Sequence, residues 1–143
     1  MGDAGVLLAG VQSVKETPYR KFINVDCGFA ALLRPAMYDA YHRVHIVNKI
    51  DKEAGEIYDI AGNLCESGDI LAKGRKLPKA EKGDLIAILD TGAYGFAMSS
   101  NYNLRPRPAE ILIRQDGSTE IIREREDYEN MHSHQRVPEN LLK

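Results

Sequence analysis

The feature that most constrains this chain is a series of short apolar, β-prone runs separated by turn signals about every ten residues. The clearest is Leu85-Ile86-Ala87-Ile88-Leu89, a continuous apolar run of strand length and too short for a buried helix. Segment 5–15 carries Val6, Leu7, Leu8, Val11 and Val14, and segment 22–25 is a second short strand after the Pro18 turn. Segments 44–47, 56–62, 109–113 and 120–124 read the same way, and 70–77 continues extended. Asp51 to Gly55 reads as a charged hairpin-like turn, and Gln115 to Ser118 as the turn of a second hairpin. About seven such strands predict a mainly β fold, a Greek-key-like barrel or sandwich with short helical insertions.

Two stretches break the β pattern. Residues 29–41 predict a short helix or pair of turns, with Pro35 in its first turn, where a missing N–H costs nothing. Arg34 then stands at the helix entrance and Tyr38 about one turn on, so the two side chains can converge on one ligand. Residues 126–131 predict a single helical turn.

At 143 residues the chain is expected to form one domain, 1–143, with a loose polar tail from His132. A net charge of −2 argues against nucleic acid or an anionic membrane as partner. Two cysteines, Cys27 and Cys65, do not make a disulfide framework and fit a reducing compartment, the cytoplasm. The apolar run Val6-Leu7-Leu8-Ala9 is too short to span a bilayer. The opening Met1-Gly2-Asp3-Ala4-Gly5 leads into apolar residues with no polar lead-in, as expected of a piece cut from something longer.

The candidate chemistry centres on Gly62-Asn63-Leu64-Cys65-Glu66-Ser67-Gly68-Asp69. A loop bounded by glycines can present a thiol, and thiol chemistry depends on exposure and on pKa. The alternative is a turn holding a small buried apolar Cys, because no metal or triad spacing accompanies Cys65. Arg34 and Tyr38 can equally be a surface helix pair. Tyr94, between Gly92 and Gly95, can be a half-buried core aromatic. His132 and His134 lie on the tail and are read as solvent-exposed, so no metal site is expected. Arg105 and Arg107 alternate with prolines in a stiff connector, and 120–127 is a mixed-charge solvated face.

Three ordered motifs carry a family resemblance. Leu33-Arg34-Pro35-Ala36-Met37-Tyr38-Asp39-Ala40-Tyr41-His42 resembles a helical segment of diaminopimelate decarboxylases, and the Gly62 to Asp69 string resembles their active-site loop. Gly92-Ala93-Tyr94-Gly95, then Met98 to Asn103 and Arg105 to Glu110, resembles a third block in the same order. The wider group is the pyridoxal-phosphate decarboxylases with an alanine-racemase-like arrangement. There, an α/β barrel holds the cofactor and a C-terminal β domain completes the site. The resemblance implies that this chain is that β domain and that the cofactor-bonding lysine lies in the barrel. The family more often has Asp-Ala-Gly-Met where this chain has Asp26-Cys27-Gly28-Phe29, and Cys27 reads as a packed thiol.

By this resemblance the activity is conversion of meso-2,6-diaminopimelate to L-lysine and CO2 with pyridoxal 5'-phosphate. It implies that Cys65 is the proton donor, reaching the partner's site across a homodimer. A neighbouring carboxylate opposes thiolate formation, which suits a donor. Glu66 is implied for the distal ammonium, Arg34 and Tyr38 for a carboxylate, and Tyr94 for the cofactor phosphate and substrate. The open alternatives are a related ornithine- or arginine-type decarboxylase, or a non-catalytic dimerisation or regulatory module.

Overall fold

A computed structural model describes residues 2–142, and these divide into two compact units, one through Ser99 and one from Ser100. In the first unit, six strands form one sheet: β1 (Leu7–Glu16), β2 (Lys21–Val25), β3 (Val44–Ile46), β4 (Glu56–Ala61), β5 (Ile70–Leu77) and β6 (Leu85–Ile88). Their spatial order is β3-β6-β1-β2-β4-β5, and the edge strands β3 and β5 come into contact, so the sheet curls into a nearly closed barrel. Tyr41 and Arg75 sit at that seam, with the guanidinium 3.9 Å from the ring centroid, a cation–π contact.

The long strand β1 is the spine of the barrel. Its first half pairs antiparallel with β6 (Leu7 opposite Ile88 through Gly10 opposite Leu85). Its second half pairs antiparallel with β2, after a register shift between Val11 and Ser13. An extra residue in one strand bends it and increases its twist, which is how a single strand serves both sides of a closing sheet. The β2–β4 pair is parallel, Ile23 opposite Ile60, while β4–β5 and β3–β6 are antiparallel.

The barrel interior is filled by β-branched and leucine side chains: Ile23, Leu32, Ile60, Leu71, Ile86 and Ile88 are each fully excluded from solvent. Alternation supplies this core, because successive strand side chains point to opposite faces. The run 85–89 shows it with Leu85 outside and Ile86 and Ile88 inside. The charged entry to β6 is stabilised separately. The buried Asp84 carboxylate accepts from Lys49 Nζ (2.8 Å), Asn48 Nδ2 (2.8 Å) and the Glu81 N–H (2.7 Å). Burial pushes its pKa up, yet these donors outweigh burial and leave it below the usual carboxylate range.

The short helix or pair of turns expected over 29–41 takes the form of the five-residue α1 (Arg34–Tyr38), preceded by a turn in which the Ala31 and Leu32 N–H groups donate to the Gly28 carbonyl. Pro35 does lie in the first turn of α1. Residues 51–55 are not a hairpin turn, because β3 pairs with β6, and β4 with β2 and β5.

The second unit holds an antiparallel hairpin, β7 (Glu110–Ile113) with β8 (Thr119–Arg123), and a short helix α2 (Tyr128–His132). Asp127 caps α2 by accepting the Asn130 N–H, and Asn130 returns the bond to the Asp127 N–H. The foreseen tail carries a 3-10 turn at Glu139–Leu141. Arg107, read from sequence as part of a connector, donates to Glu126 from both its side chain (Nε, 2.6 Å) and its backbone N–H (2.9 Å). Asn101 Nδ2 adds a third bond to the same carboxylate at 2.6 Å.

Two predictions follow from this packing and pairing. Ile86→Ala should lower unfolding free energy by about 2–5 kcal/mol in urea titrations, since it empties a fully buried position. The Arg107 guanidinium, with the backbone and amide donors, holds Glu126 from its ordinary 4.5 down to about 2. Its pairing therefore stabilises the protein fully above pH 4.5 and is lost as pH falls through about 2. In an NMR titration the Arg107 amide shift should follow that low midpoint, and a midpoint near 4.5 would refute the assignment.

Candidate functional site

Strand directions decide where the candidate residues lie. Strand β2 runs parallel to β4, and both β2 and β6 run antiparallel to β1. The C-terminal ends of β2, β4 and β6 therefore emerge at one end of the barrel. Segment 26–43 follows β2, segment 62–69 follows β4, and segment 89–95 follows β6. Arg34 and Tyr38, Cys65 and Glu66, and Tyr94 are thus carried on one rim. Two shallow open grooves, about 370 and 510 Å³, lie elsewhere: one against Arg20, Tyr58 and Lys73, the other along the β3–β5 seam. Neither is lined by any of the five candidates.

The thiol loop is a short β4–β5 connection. Cys65 is exposed, as are Glu66, Ser67 and Gly68. This removes the reading of Cys65 as a small buried apolar residue. The loop is closed by backbone bonds: Gly62 N–H to the Asp69 carbonyl (2.8 Å), Asp69 N–H to the Glu66 carbonyl (3.0 Å) and Ile70 N–H to the Gly68 carbonyl (2.8 Å). Beneath it, Asp69 is only 2% exposed. One of its oxygens accepts the Leu64 N–H at 2.9 Å and the other accepts the Phe29 N–H at 2.6 Å. Only glycine fits around this carboxylate, because a Cβ on Gly62 would lie 2.1 Å from one oxygen and a Cβ on Gly28 2.5 Å from it. Asn63 Nδ2 also donates to the Asp26 carbonyl at 2.7 Å.

Cys27 behaves differently from Cys65. It packs against the core, and burial, with the carboxylates of Asp26 and Asp69 nearby, pushes its thiol up to about 12. It is a packed thiol, as read from the sequence.

The arm 26–33 leads from this clamp into α1, anchored by the fully buried Leu32 and by buried Pro35. Tyr38 is 64% exposed, and Arg34 is half-buried at the helix entrance. Asp39 closes the helix in the left-handed region (φ 52°), and Lys73 Nζ reaches its carboxylate at 3.1 Å. This helix packs against β5.

Tyr94 stands on a strained turn. Both Asp90 (φ 62°) and Tyr94 (φ 63°) adopt left-handed backbone, which is uncommon for residues with a Cβ. The turn is tied down by Thr91 N–H to the Gly5 carbonyl (3.0 Å) and Gly92 N–H to the Gly2 carbonyl (2.9 Å). The Arg43 guanidinium binds the Asp90 carboxylate with two bonds of 3.1 Å and holds its pKa below the usual range. His42 is fully buried, and its Nδ1 lies 2.9 Å from the Leu89 carbonyl, which fixes the proton on Nδ1. With the backbone so held, the Tyr94 side chain is 65% exposed and not a core aromatic.

Asp69, His42 and Arg43 were not singled out from sequence. The glycines that make room for the Asp69 carboxylate are Gly62, in the same motif, and Gly28, about forty residues earlier. His42 and Arg43 bond to backbone and to a turn residue far along the chain, for which the sequence offers no spacing rule.

Comparison with known proteins places the chain in a family. Residues 3–92 match the family described as pyridoxal-dependent decarboxylase, C-terminal sheet domain. A diaminopimelate decarboxylase of Archaeoglobus fulgidus is 54% identical over 142 residues, covering 99% of this chain and 33% of that protein. Another, from Methanothermobacter thermautotrophicus, is 50% identical and matches 100% of this chain and 33% of that protein. The crystal structure of diaminopimelate decarboxylase from M. jannaschii in co-complex with L-lysine superposes with a TM-score of 0.91 at 44% identity, covering 98% of this chain and 32% of that one. The chain thus spans about a third of the length of these relatives. Its six-stranded barrel and the matched residues 3–92 make it a member of the C-terminal sheet-domain family of pyridoxal-dependent decarboxylases.

Proposed function

We propose that this chain supplies the substrate-facing rim of a pyridoxal-phosphate-dependent decarboxylase that converts meso-2,6-diaminopimelate to L-lysine and CO2. The observation that carries this reading is the delivery of Cys65, Glu66, Arg34, Tyr38 and Tyr94 to one end of the barrel by three separate connections. The relatives that cover nearly the whole chain at about half identity are named for that substrate, which favours it over other basic amino acids.

The rim fits the edge of the cofactor site and not its cradle. Segments 26–43, 62–69 and 89–95 contain no lysine, which supports assigning the residue that bonds the cofactor to another part of the protein. Tyr94 offers one exposed hydroxyl suited to a phosphate oxygen. The cofactor, when bound, supplies the electron sink for the carbanion left by loss of CO2.

Each rim residue then has a definite task. Cys65 holds a proton on Sγ and delivers it to the substrate α-carbon on one face, and solvent restores the thiol afterwards. Its exposure suits action in a site completed by a second copy of the protein, as a homodimer. Glu66, beside it, takes the distal ammonium through a charge-assisted hydrogen bond. Arg34 and Tyr38 at the two ends of α1 take a carboxylate, the guanidinium matching it with two parallel N–H donors. Two cysteines without a disulfide accord with a cytoplasmic enzyme.

In the full-length protein, Cys65→Ala should reduce turnover by about 10²–10⁴-fold, the usual worth of a positioned general acid, while the cofactor absorbance band stays in place. Unchanged turnover would sink the proton-donor role. Glu66→Gln should raise KM for diaminopimelate about tenfold or more with a smaller effect on kcat, as loss of one ionic hydrogen bond predicts. Parallel assays on ornithine, arginine and lysine test the substrate: preference for any of these in the unmodified protein would overturn the assignment.

A further inference from the structure

We propose that Asp69, seconded by Asn63, is a positioning residue that aims the Cys65 thiol by latching its loop to the arm leading into α1. The inference rests on the reading of Cys65 as proton donor and adds what holds it in register.

The exposed tip 65–68 has its own short backbone bonds, which shape the turn and do not orient it relative to the rest of the rim. That orientation comes from below. Asp69 spans two segments far apart in sequence, one oxygen on the N–H of Leu64, directly before Cys65, the other on the N–H of Phe29. Asn63 makes a parallel tie to the Asp26 carbonyl at 2.7 Å. Both ties cross the same interface, and Gly28 and Gly62 let the segments close on the carboxylate. A carboxylate with two acceptor oxygens is the side chain this geometry requires. An amide presents one oxygen and one NH2, so one of the two backbone N–H groups would face a donor. The bonds from the two backbone N–H groups to this buried carboxylate fix the main chain one residue from the reacting sulfur. Proton delivery tolerates little displacement, and a misplacement of about 1 Å can cost on the order of a hundredfold in rate.

The same clamp joins the two halves of the rim. Phe29 lies on the arm that carries Arg34 and Tyr38, so a shift of the thiol loop is a shift relative to α1. A purely structural carboxylate would add stability without making its catalytic effect depend on Cys65.

The test is a double-mutant cycle in the full-length protein. Asp69→Asn should lower kcat at least about tenfold in the unmodified background and less than about twofold when Cys65→Ala is already present. Equal losses in both backgrounds, or no loss in either, would overturn the proposal. Amide exchange and Cys65 alkylation separate this from the proposed function. Asp69→Asn should speed exchange at Leu64 or Phe29 about tenfold and change the alkylation rate at least threefold. If Cys65→Ala alone leaves turnover intact, the decarboxylase role of the thiol fails, and these two rates then decide the latch; unchanged rates overturn it. Should Asp69→Asn not fold, Asn63→Ala carries the same cycle. A loss of about threefold that disappears with Cys65→Ala supports the latch, and any other result overturns it.

Discussion

The parallel pairing of β2 with β4 is the constraint on which the rim depends. Ile23 sits opposite Ile60, so both strands point the same way and their following segments leave the barrel together. Had the pair been antiparallel, the thiol loop and the arm to α1 would lie at opposite ends, some strand length apart. The β1 spine adds the third connection, because pairing antiparallel with both β2 and β6 makes those two run alike. Three loops with no sequence adjacency thus become neighbours through hydrogen-bond direction alone.

How each loop is held differs in kind. The thiol loop is pinned by a buried carboxylate in a glycine cradle, an arrangement of charge and close approach. The Tyr94 turn is held by backbone bonds to residues 2 and 5, by a bidentate ion pair and by the buried His42 ring. Helix α1 is too short to be stable by itself, since isolated helices of a few residues are marginal in water, and it depends on the buried Leu32 and Pro35 that seat it. In each case the candidate group is carried by a buried neighbour, Asp69 for Cys65, His42 for the turn bearing Tyr94, and Leu32 for Arg34.

Much of this was legible in the sequence. The strand run at 85–89, the short strands around the Cys65 loop and the position of Pro35 all reflect local rules of periodicity and backbone restriction, and each holds in the structure. The five candidate side chains could be named because the motifs that carry them are contiguous. What could not be read was anything set by distant backbone. The β2–β4 pairing leaves no turn signature, since turn chemistry speaks only for strands joined by a hairpin. The supposed hairpin at 51–55 failed for that reason, as β3 finds its partner in β6, some forty residues on. Asp69 was visible as a residue but not as a clamp, because its partners are the amides of Leu64 and Phe29, which any residue type except proline could supply.

The pairing of β1 with β6 has a consequence for how the molecule assembles. Leu7 meets Ile88 across nearly the whole first unit, so this contact closes a very long loop, whereas β4 and β5 meet through a short one. Loop-closure entropy grows with separation, and contacts of high sequence separation slow folding. The thiol hairpin can therefore take shape early and locally. The turn bearing Tyr94, tied to residues 2 and 5, depends on the longer closure. The two parts of the rim thus differ in the length of chain that must be closed to form them, and the one under strain needs the longer.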